Sequence, residues 1–353
     1  MKIRFEEKEV LKNKPKGNLR FGKILTDYMF VMDWTKEEGW HDQRIVPYAP
    51  MTIDPAAMVL HYAQETFEGL KAYRSKDGNI YLFRPEMNAK RFVNSNERMC
   101  MPKVEEKDFV EAIAELVKVE EAWIPTGEGE SLYIRPFMYA NEVALGVNEA
   151  NAYRFIIILS PVGAYYPEGV SPVKIYVEDE YTRATVGGTG FVKCGGNYAG
   201  SLAGQVKAKK LGYSQVLWLD GVKRKYIEEV GSMNVMFLIN DTVVTAPIEG
   251  TVLPGVTRDS ILTLLKDWGY KVEERHLSID ELMEAGKDGL LKEAWGTGTA
   301  AVISPIGELF YKGEKVLVND FKIGGLTQNL YDTLTAIQWG DMEDKYNWRY
   351  KVK

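Results

Sequence analysis

Cysteine and histidine are scarce in this chain of 353 residues. There are two cysteines, Cys100 and Cys194, and three histidines, His41, His61 and His276. Two cysteines are too few for a disulfide framework or a cysteine-based zinc site, and no two histidines have the H-x-x-x-H spacing of a metal site on a helix. We therefore expect no bound metal and a reducing, cytoplasmic setting.

Long hydrophobic runs and an excess of positive charge are also missing. The start, MKIRFEEKEVLKNKPKG, is charged and lacks the apolar core of a signal peptide. The most apolar stretch, around residues 155–159, is far too short to span a bilayer. The formal net charge is −6, whereas nucleic-acid binding requires concentrated Lys and Arg. The expected partners are small molecules rather than membranes or nucleic acids.

The pattern of predicted elements indicates two domains of mixed α and β structure. Residues 57–64, LKAYR and IYLFR each predict a strand, Pro85 begins a helix, and an amphipathic helix follows over residues 108–123. The stretch PVGAYYPEGVSP, residues 161–172, breaks both periodicities. It predicts a linker between a smaller α+β domain, 1–160, and a larger domain, 173–353, in which strands and helices resume.

One lysine lies in an unusual context, TRATVGGTGFVKCGGNYAG. Five glycines occur within the ten residues 187–196 around Lys193. An isolated lysine is usually a solvated surface residue. Glycines, however, permit backbone with positive φ and close approach to a ligand. A lysine drawn into such a pocket loses its proton more readily and becomes a nucleophile toward carbonyl groups.

Four further features each give only a weak indication of a functional site. In YIEEVGSMN, Glu228 and Glu229 are either solvated loop charges or include a carboxylate that faces a protonated pyridine ring. The start of the helix in LPGVTRDS offers N–H groups to a phosphate, although such residues usually only cap the helix. The GTGT turn before AAV is either an ordinary turn or a second anion-binding nest. Arg91, on the helix after Pro85, is either solvated or a bidentate phosphate ligand.

Seven segments in one order resemble a known family. FEGLKAYR, LFRPEMNAKR, LYIRP, VKCGGNYAGSLAGQ, EEVGSMNVMF, LPGVTRDSIL and GTGTAAV are similar to the branched-chain amino acid aminotransferases, class IV members of the fold-type IV enzymes that use pyridoxal 5'-phosphate (PLP). The resemblance runs from about residue 21 to the C-terminal helix. It implies the two-domain fold of D-amino-acid aminotransferase, a cofactor between the domains, and a cytoplasmic homodimer.

The resemblance also implies roles for individual residues around the cofactor. Lys193 corresponds to the lysine that forms the Schiff base and shuttles the proton, Glu229 to the partner of the pyridine nitrogen, and Tyr198 to the residue that contacts the phenolic oxygen. Contacts to the phosphate correspond to Arg91, the backbone of Val256 and Thr257, and Thr299.

The substrate residues implied by the resemblance fall into three groups. The backbone N–H groups of Thr299 and Ala300 would hold the substrate carboxylate. The side-chain pocket corresponds to Phe21, Tyr62, Tyr133 and Arg135, and Leu145 and Val147 would reach the pocket of a neighbouring subunit. The implied reaction is a ping-pong exchange of amino groups between Leu, Ile or Val and 2-oxoglutarate.

One departure and three alternatives accompany this interpretation. Mammalian relatives carry a C-x-x-C pair just after the GTA turn, where this chain has Ala301 and Ser304, so redox control through that pair is not expected.

Another class IV activity, a D-amino acid transaminase or an aminodeoxychorismate lyase, would share the lysine and the glutamate. A binding protein that keeps the fold without catalysis is a second alternative, which the intact Lys193, Glu229 and Arg91 oppose. A membrane or nucleic-acid protein is disfavoured by charge and hydropathy.

Overall fold

The chain divides into two units, each built on its own sheet. The computed structural model describes residues 1–15, 17, 19–164 and 170–353. Unit 1 comprises Met1–Tyr165, Val192–Gly195 and Ala336–Lys353, and unit 2 comprises Tyr166–Phe191 and Gly196–Thr335. The domain boundaries expected from the sequence stay a prediction, and residues 165–169 of the expected linker lie outside the described residues.

Unit 1 is a largely antiparallel sheet with helices against it. Of the described strands, nine pair here in the order β1-β3-β2-β8-β7-β5-β6-β18, and β4 pairs with β7. The elements are β1 (Arg4–Phe5), β2 (Tyr28–Thr35), β3 (Gly39–Pro47), α1 (Met58–Tyr62), β4 (Glu65–Phe67), β5 (Leu70–Arg74), β6 (Ile80–Phe83), α2 (Pro85–Arg98), α3 (Glu106–Val119), β7 (Ser131–Ala140), β8 (Ala152–Val162) and β18 (Arg349–Lys351).

The core of unit 1 forms where α2 and α3 meet the central strand β8. The Phe92 ring centroid lies 5.2 Å from that of Phe109 and 5.5 Å from that of Phe155, and all three side chains are fully buried. Rings at these separations combine apolar burial with favourable quadrupole contacts. This packing fixes α2 on the sheet. Pro85 occupies the first turn of α2, where the missing N–H costs nothing.

Helix α2 buries polar as well as apolar side chains. Asn88, Arg91 and Ser95 are all nearly inaccessible to solvent. Their spacing of three and four residues places them on one face of the helix. A buried polar face needs partners, and those partners define the site described below.

Unit 2 contains a second sheet, and six of its strands close into a ring. Of the described strands, nine pair in the order β11-β10-β9-β16-β15-β12-β13-β14, β17 pairs with β16, and an added β11–β12 pairing closes six strands into a ring. The elements are β9 (Val173–Glu178), α4 (Gly195–Lys210), β10 (Gln215–Leu219), β11 (Ile227–Val230), β12 (Met233–Ile239), β13 (Thr242–Thr245), α5 (Val256–Asp267), β14 (Lys271–Glu274), α6 (Ile279–Lys287), β15 (Leu291–Gly298), β16 (Val302–Tyr311), β17 (Glu314–Leu317) and α7 (Gly325–Trp339).

Three local predictions from the sequence are wrong. Residues 57–64 contain the helix α1 rather than a strand, because a short continuous apolar run does not distinguish the two structures. The Glu228–Glu229 pair lies within strand β11 instead of a loop before it, with both side chains buried. Of residues 296–299, expected as a turn, the first three instead finish strand β15, where Gly296 and Thr297 pair with β16, and Thr299 lies in the turn that follows.

Candidate active site

Lys193 is held in unit 1 through its backbone on both sides. Its N–H donates to Ser95 Oγ at 3.1 Å, and its carbonyl accepts from the Phe67 N–H at 2.9 Å. The half-buried ammonium group lies 4.8 Å from the centroid of the Phe67 ring. These contacts fix the main chain of the lysine and direct its amine over an aromatic face.

Next to Phe67, Glu68 is a carboxylate with no exposure to solvent. Arg91 binds this carboxylate in a bidentate manner, with Nε 2.7 Å from Oε1 and Nη2 2.8 Å from Oε2. Asn88 Nδ2 donates to Oε2 at 2.8 Å, and the Gly69 N–H donates to the same oxygen at 3.1 Å. Burial by itself would raise the pKa of Glu68, but the charges of Arg91 and Lys193 outweigh it and leave that pKa below its usual value.

A third group in unit 1 surrounds Arg135 on β7. Arg135 Nη2 donates to Tyr133 Oη at 2.8 Å, and its guanidinium lies 4.8 Å from the Phe67 centroid. The Tyr133 ring is in turn 4.7 Å from the ring of Phe21. The buried Nε of Arg135 has no hydrogen-bond partner among the described residues. Arg135 and Lys193 thus lie over the same aromatic ring.

Tyr133 also explains a glycine in FEGL. A Cβ atom on Gly69 would lie 2.4 Å from Tyr133 Oη. A side chain at position 69 would therefore force Tyr133 to move, and glycine allows the close packing seen here. The motif therefore brings three consecutive residues, Phe67, Glu68 and Gly69, into contact with Lys193, Arg91 and Tyr133 respectively.

Glu229 is the central carboxylate of unit 2. It is 2% exposed, its Oε2 is 2.9 Å from Arg183 Nε, and its Oε1 accepts from the Leu253 N–H at 2.7 Å. Arg183 is anchored in turn by the carbonyls of Thr251 and Gly190, at 2.8 Å and 3.0 Å. A carboxylate with a charged partner and a backbone donor is stabilised in its ionised form.

Tyr198 lies in the same part of unit 2 as the Arg183–Glu229 pair. Arg183, Asn197 and Tyr198 line one cleft with Ser201, Gly231 and Ser232. Asn197 is fixed by Thr189, whose hydroxyl donates to Asn197 Oδ1 at 2.7 Å while Asn197 Nδ2 donates back to the Thr189 carbonyl at 2.7 Å. These hydrogen bonds connect the first turn of α4 to the glycine-rich segment that precedes it.

Three of the four residues expected at the phosphate, all except Arg91, lie in unit 2. Val256 and Thr257 are the first residues of α5 and are buried, so their N–H groups are at the positive end of the helix. Thr299 and Ala300 follow β15 directly and are half-buried. Close by in sequence, Thr297 Oγ1 is buried and has no hydrogen-bond partner among the described residues.

The predicted residues thus divide between the units. Lys193, Arg91, Tyr133, Arg135 and Phe21 gather around Phe67 and Glu68 in unit 1. The remaining residues expected at the cofactor or at the substrate carboxylate lie in unit 2: Tyr198, Glu229, Val256, Thr257, Thr299 and Ala300. Tyr62 donates a short hydrogen bond to the Leu145 carbonyl, and the side chains of Leu145 and Val147 are 66% and 83% exposed.

Sequence reasoning missed four residues of the site. Glu68, Phe67 and Ser95 contact Arg91 or Lys193 directly, and Arg183 pairs with Glu229. The local sequence did not single out Glu68, because polar residues flank it on both sides, with Glu65 and Thr66 before it and Lys71 after it.

Comparison with known proteins decides the family. Residues 65–309 match the family described as amino-transferase class IV. The chain belongs to this family. Over 351 residues it is 53% identical to branched-chain-amino-acid aminotransferase 2 of Bacillus subtilis strain 168, covering 99% of this chain and 97% of that relative.

Two solved structures share the fold of this class IV aminotransferase. A crystal structure of Escherichia coli branched-chain amino acid aminotransferase superposes with a TM-score of 0.77 at 27% identity, covering 93% of this chain and 99% of that one. A T.th. branched-chain amino acid aminotransferase, solved with pyridoxamine 5'-phosphate, gives 0.76 at 25% identity, covering 91% and 98%. The predictions of the family, the mixed two-domain fold, the enzymatic class and PLP as cofactor are confirmed.

The described residues fit that cofactor. PLP requires an amine for its aldehyde, an acid for its ring nitrogen and donors for its phosphate. Lys193 in unit 1 would offer the amine, and unit 2 would offer the acid, Glu229, and donors at the start of α5 and in the buried Thr297 hydroxyl. No helix within the described ranges is both long and apolar enough to cross a bilayer.

The Glu68–Arg91 pair generates a prediction about stability. Glu68→Gln leaves the Arg91 charge buried without its counter-ion, which costs about 3–5 kcal/mol. Because the folded pKa of Glu68 is lowered, its ionisation stabilises the fold above the unfolded pKa and this stabilisation is lost as the pH falls through the folded pKa. Urea unfolding should therefore show the largest deficit at neutral pH and a smaller one in acid.

Glu115→Gln is the matched control for this measurement. Its partner Lys118 is 2.7 Å away, but both side chains are more than 40% exposed. An exposed pair contributes at most about 1 kcal/mol, so this variant should unfold close to the wild-type midpoint. A Glu68→Gln protein as stable as the wild type at neutral pH would contradict the account of the buried pair.

Proposed function

We propose that this chain is a PLP-dependent transaminase that exchanges amino groups between branched-chain L-amino acids and 2-oxoglutarate. The products are branched-chain 2-oxo acids and L-glutamate, formed in a ping-pong sequence. The 53% identity to a B. subtilis branched-chain-amino-acid aminotransferase over nearly the whole chain carries the substrate assignment. The site residues support the chemistry.

PLP would supply an aldehyde that condenses with amines and a protonated ring that withdraws electron density. Lys193 would hold the cofactor and, once displaced by the substrate amine, take the α-proton at Nζ and return it. Its anchored backbone would limit the amine to a small volume over Phe67. Such pre-orientation lowers the entropic cost of proton transfer.

Glu229 would keep the ring nitrogen protonated. A buried carboxylate does this only if it is itself ionised, and Arg183 together with the Leu253 N–H stabilises the ionised form. Tyr198 would contact the phenolic oxygen.

The phosphate would bind to Arg91, to the N–H groups of Val256 and Thr257, and to Thr299. Arg91 would act there with two of its nitrogens already engaged by Glu68, which holds the guanidinium plane in one orientation.

The substrate would bind through two charged contacts and an aromatic wall. The N–H groups of Thr299 and Ala300 would take the α-carboxylate. Phe21, Tyr62 and Tyr133 would line the side-chain pocket. Arg135 would receive the γ-carboxylate of glutamate or 2-oxoglutarate through its guanidinium group, while the flanking rings of Phe67 and Tyr133 would contact leucine.

A homodimer in the cytoplasm is part of the proposal. Leu145 and Val147 are strongly exposed apolar side chains on one short segment, and solvent is an unfavourable environment for them. They would enter the pocket of the second copy. A D-amino acid transaminase is the alternative activity, and an assay with D-alanine against L-leucine distinguishes it.

Visible absorption tests the proposed half-reaction. The purified protein should be yellow from the PLP–Lys193 linkage, and L-leucine alone should bleach this band while one equivalent of 2-oxo acid appears. Adding 2-oxoglutarate should restore the yellow band. Leucine that leaves the spectrum unchanged, while D-alanine bleaches it, would reject the branched-chain assignment.

Arg135→Ala tests the proposed contact to the γ-carboxylate. A hydrogen bond to a charged group contributes about 1.5–3 kcal/mol, so kcat/KM for glutamate should fall roughly tenfold to a hundredfold. The value for leucine should change far less, since leucine has no γ-carboxylate. Tyr133→Phe is the companion variant, because it removes only the hydroxyl that positions Arg135. Equal losses for both substrates in Arg135→Ala would exclude this role.

A further inference from the structure

A second cavity lies in unit 2 behind the strand that carries Glu229. It has a volume of about 230 Å³. Its walls come from the segments around residues 220–228 and 246–252 and from His276. We call it the Glu228 cavity, after the most buried acid in its wall.

Strand geometry separates this cavity from the cofactor residues. Side chains alternate between the two faces of a strand, so Glu228 and Glu229 on β11 point in opposite directions. Glu229 turns toward Arg183 and Leu253, whereas Glu228 lines the cavity. Two adjacent glutamates therefore belong to two different sites.

Glu228 carries a buried oxygen that nothing in the described part of the chain satisfies. The residue is 7% exposed, and its Oε2 has no hydrogen-bond partner among those residues. Burial raises the pKa of Glu228, against the hydrogen bond from Thr251 and the charge of Arg183. An unsatisfied buried acceptor costs about 1–3 kcal/mol, more if charged, so a ligand that donates to it gains that energy.

The other acids of the wall already have donors. The Asp220 carboxylate accepts four backbone N–H groups at 2.7–3.2 Å, from Val222, Lys223, Lys225 and Tyr226. Glu249 lies 3.1 Å from His276 Nε2. Among the described residues of this wall, Glu228 is thus the only acid with a buried oxygen that lacks a hydrogen-bond donor.

We propose that the Glu228 cavity binds a small aliphatic ammonium compound, which donates its N–H to the Glu228 carboxylate and packs its carbons against Ala246 and Val252. A cation is favoured because hydrogen bonds to ionised groups are roughly twice as strong as neutral ones. The volume equals that of roughly seven to eight water molecules at ~30 Å³ each, which admits a body of similarly few heavy atoms. This site does not depend on the proposed transamination.

Ligand-observed NMR on the PLP-loaded protein tests the proposal. The probe is N,N-dimethylisobutylammonium, a tertiary amine that cannot condense with the PLP aldehyde. The expected result is saturable binding that Glu228→Gln weakens at least about tenfold. Isobutanol, the neutral comparator, should bind far more weakly.

Two further variants make the test decisive. Glu249→Gln removes a wall carboxylate that His276 already pairs, so it should retain binding. Val222→Trp fills the mouth of the cavity from a position that is 74% exposed, so it should abolish binding without disturbing the core, even if Glu228→Gln fails to fold. The absence of saturable binding, equal weakening by Glu228→Gln and Glu249→Gln, or equal affinity for isobutanol would overturn the proposal and leave a cavity that holds water only.

Discussion

The buried fork between Glu68 and Arg91 is the interaction on which the arrangement of unit 1 depends. Glu68 follows β4, and Arg91 belongs to α2, so the pair joins the two elements that hold Lys193. Phe67, one residue before Glu68, binds the Lys193 carbonyl, and Ser95, one helical turn after Arg91, binds its N–H. Removing either charge would loosen both anchors together, because an unpaired buried ion is very costly.

A similar arrangement occurs in unit 2. There Glu229 is buried beside Arg183, which the carbonyls of Thr251 and Gly190 fix in place. In both units an arginine pairs with a deeply buried carboxylate. The Glu68 pair connects β4 and α2, whereas Glu229 is proposed to act on the cofactor ring.

Sequence patterns led to proposals for the chemistry of the site but did not reveal its supporting contacts. The glycines around Lys193 and the family's motifs indicated the lysine, the ring acid and the phosphate residues. The choice of Glu229 over Glu228 came from resemblance alone and stays a prediction, while strand alternation on β11 places the two side chains on opposite faces. Glu68 and Arg183 were missed because a charge paired at long sequence separation leaves no local periodicity. The helix α1 was missed because a short apolar run is compatible with both helix and strand.

Reduction of the purified protein with borohydride, followed by peptide mass spectrometry, tests the central claim most directly. Reduction fixes the cofactor covalently on the lysine that holds it. Unit 1 offers an internal competitor in Lys71, a lysine of β5 whose pKa burial lowers to about 8. The account predicts a phosphopyridoxyl group on the peptide that contains Lys193 and none on the peptide that contains Lys71. A label on Lys71, or on no lysine of the protein, would contradict it.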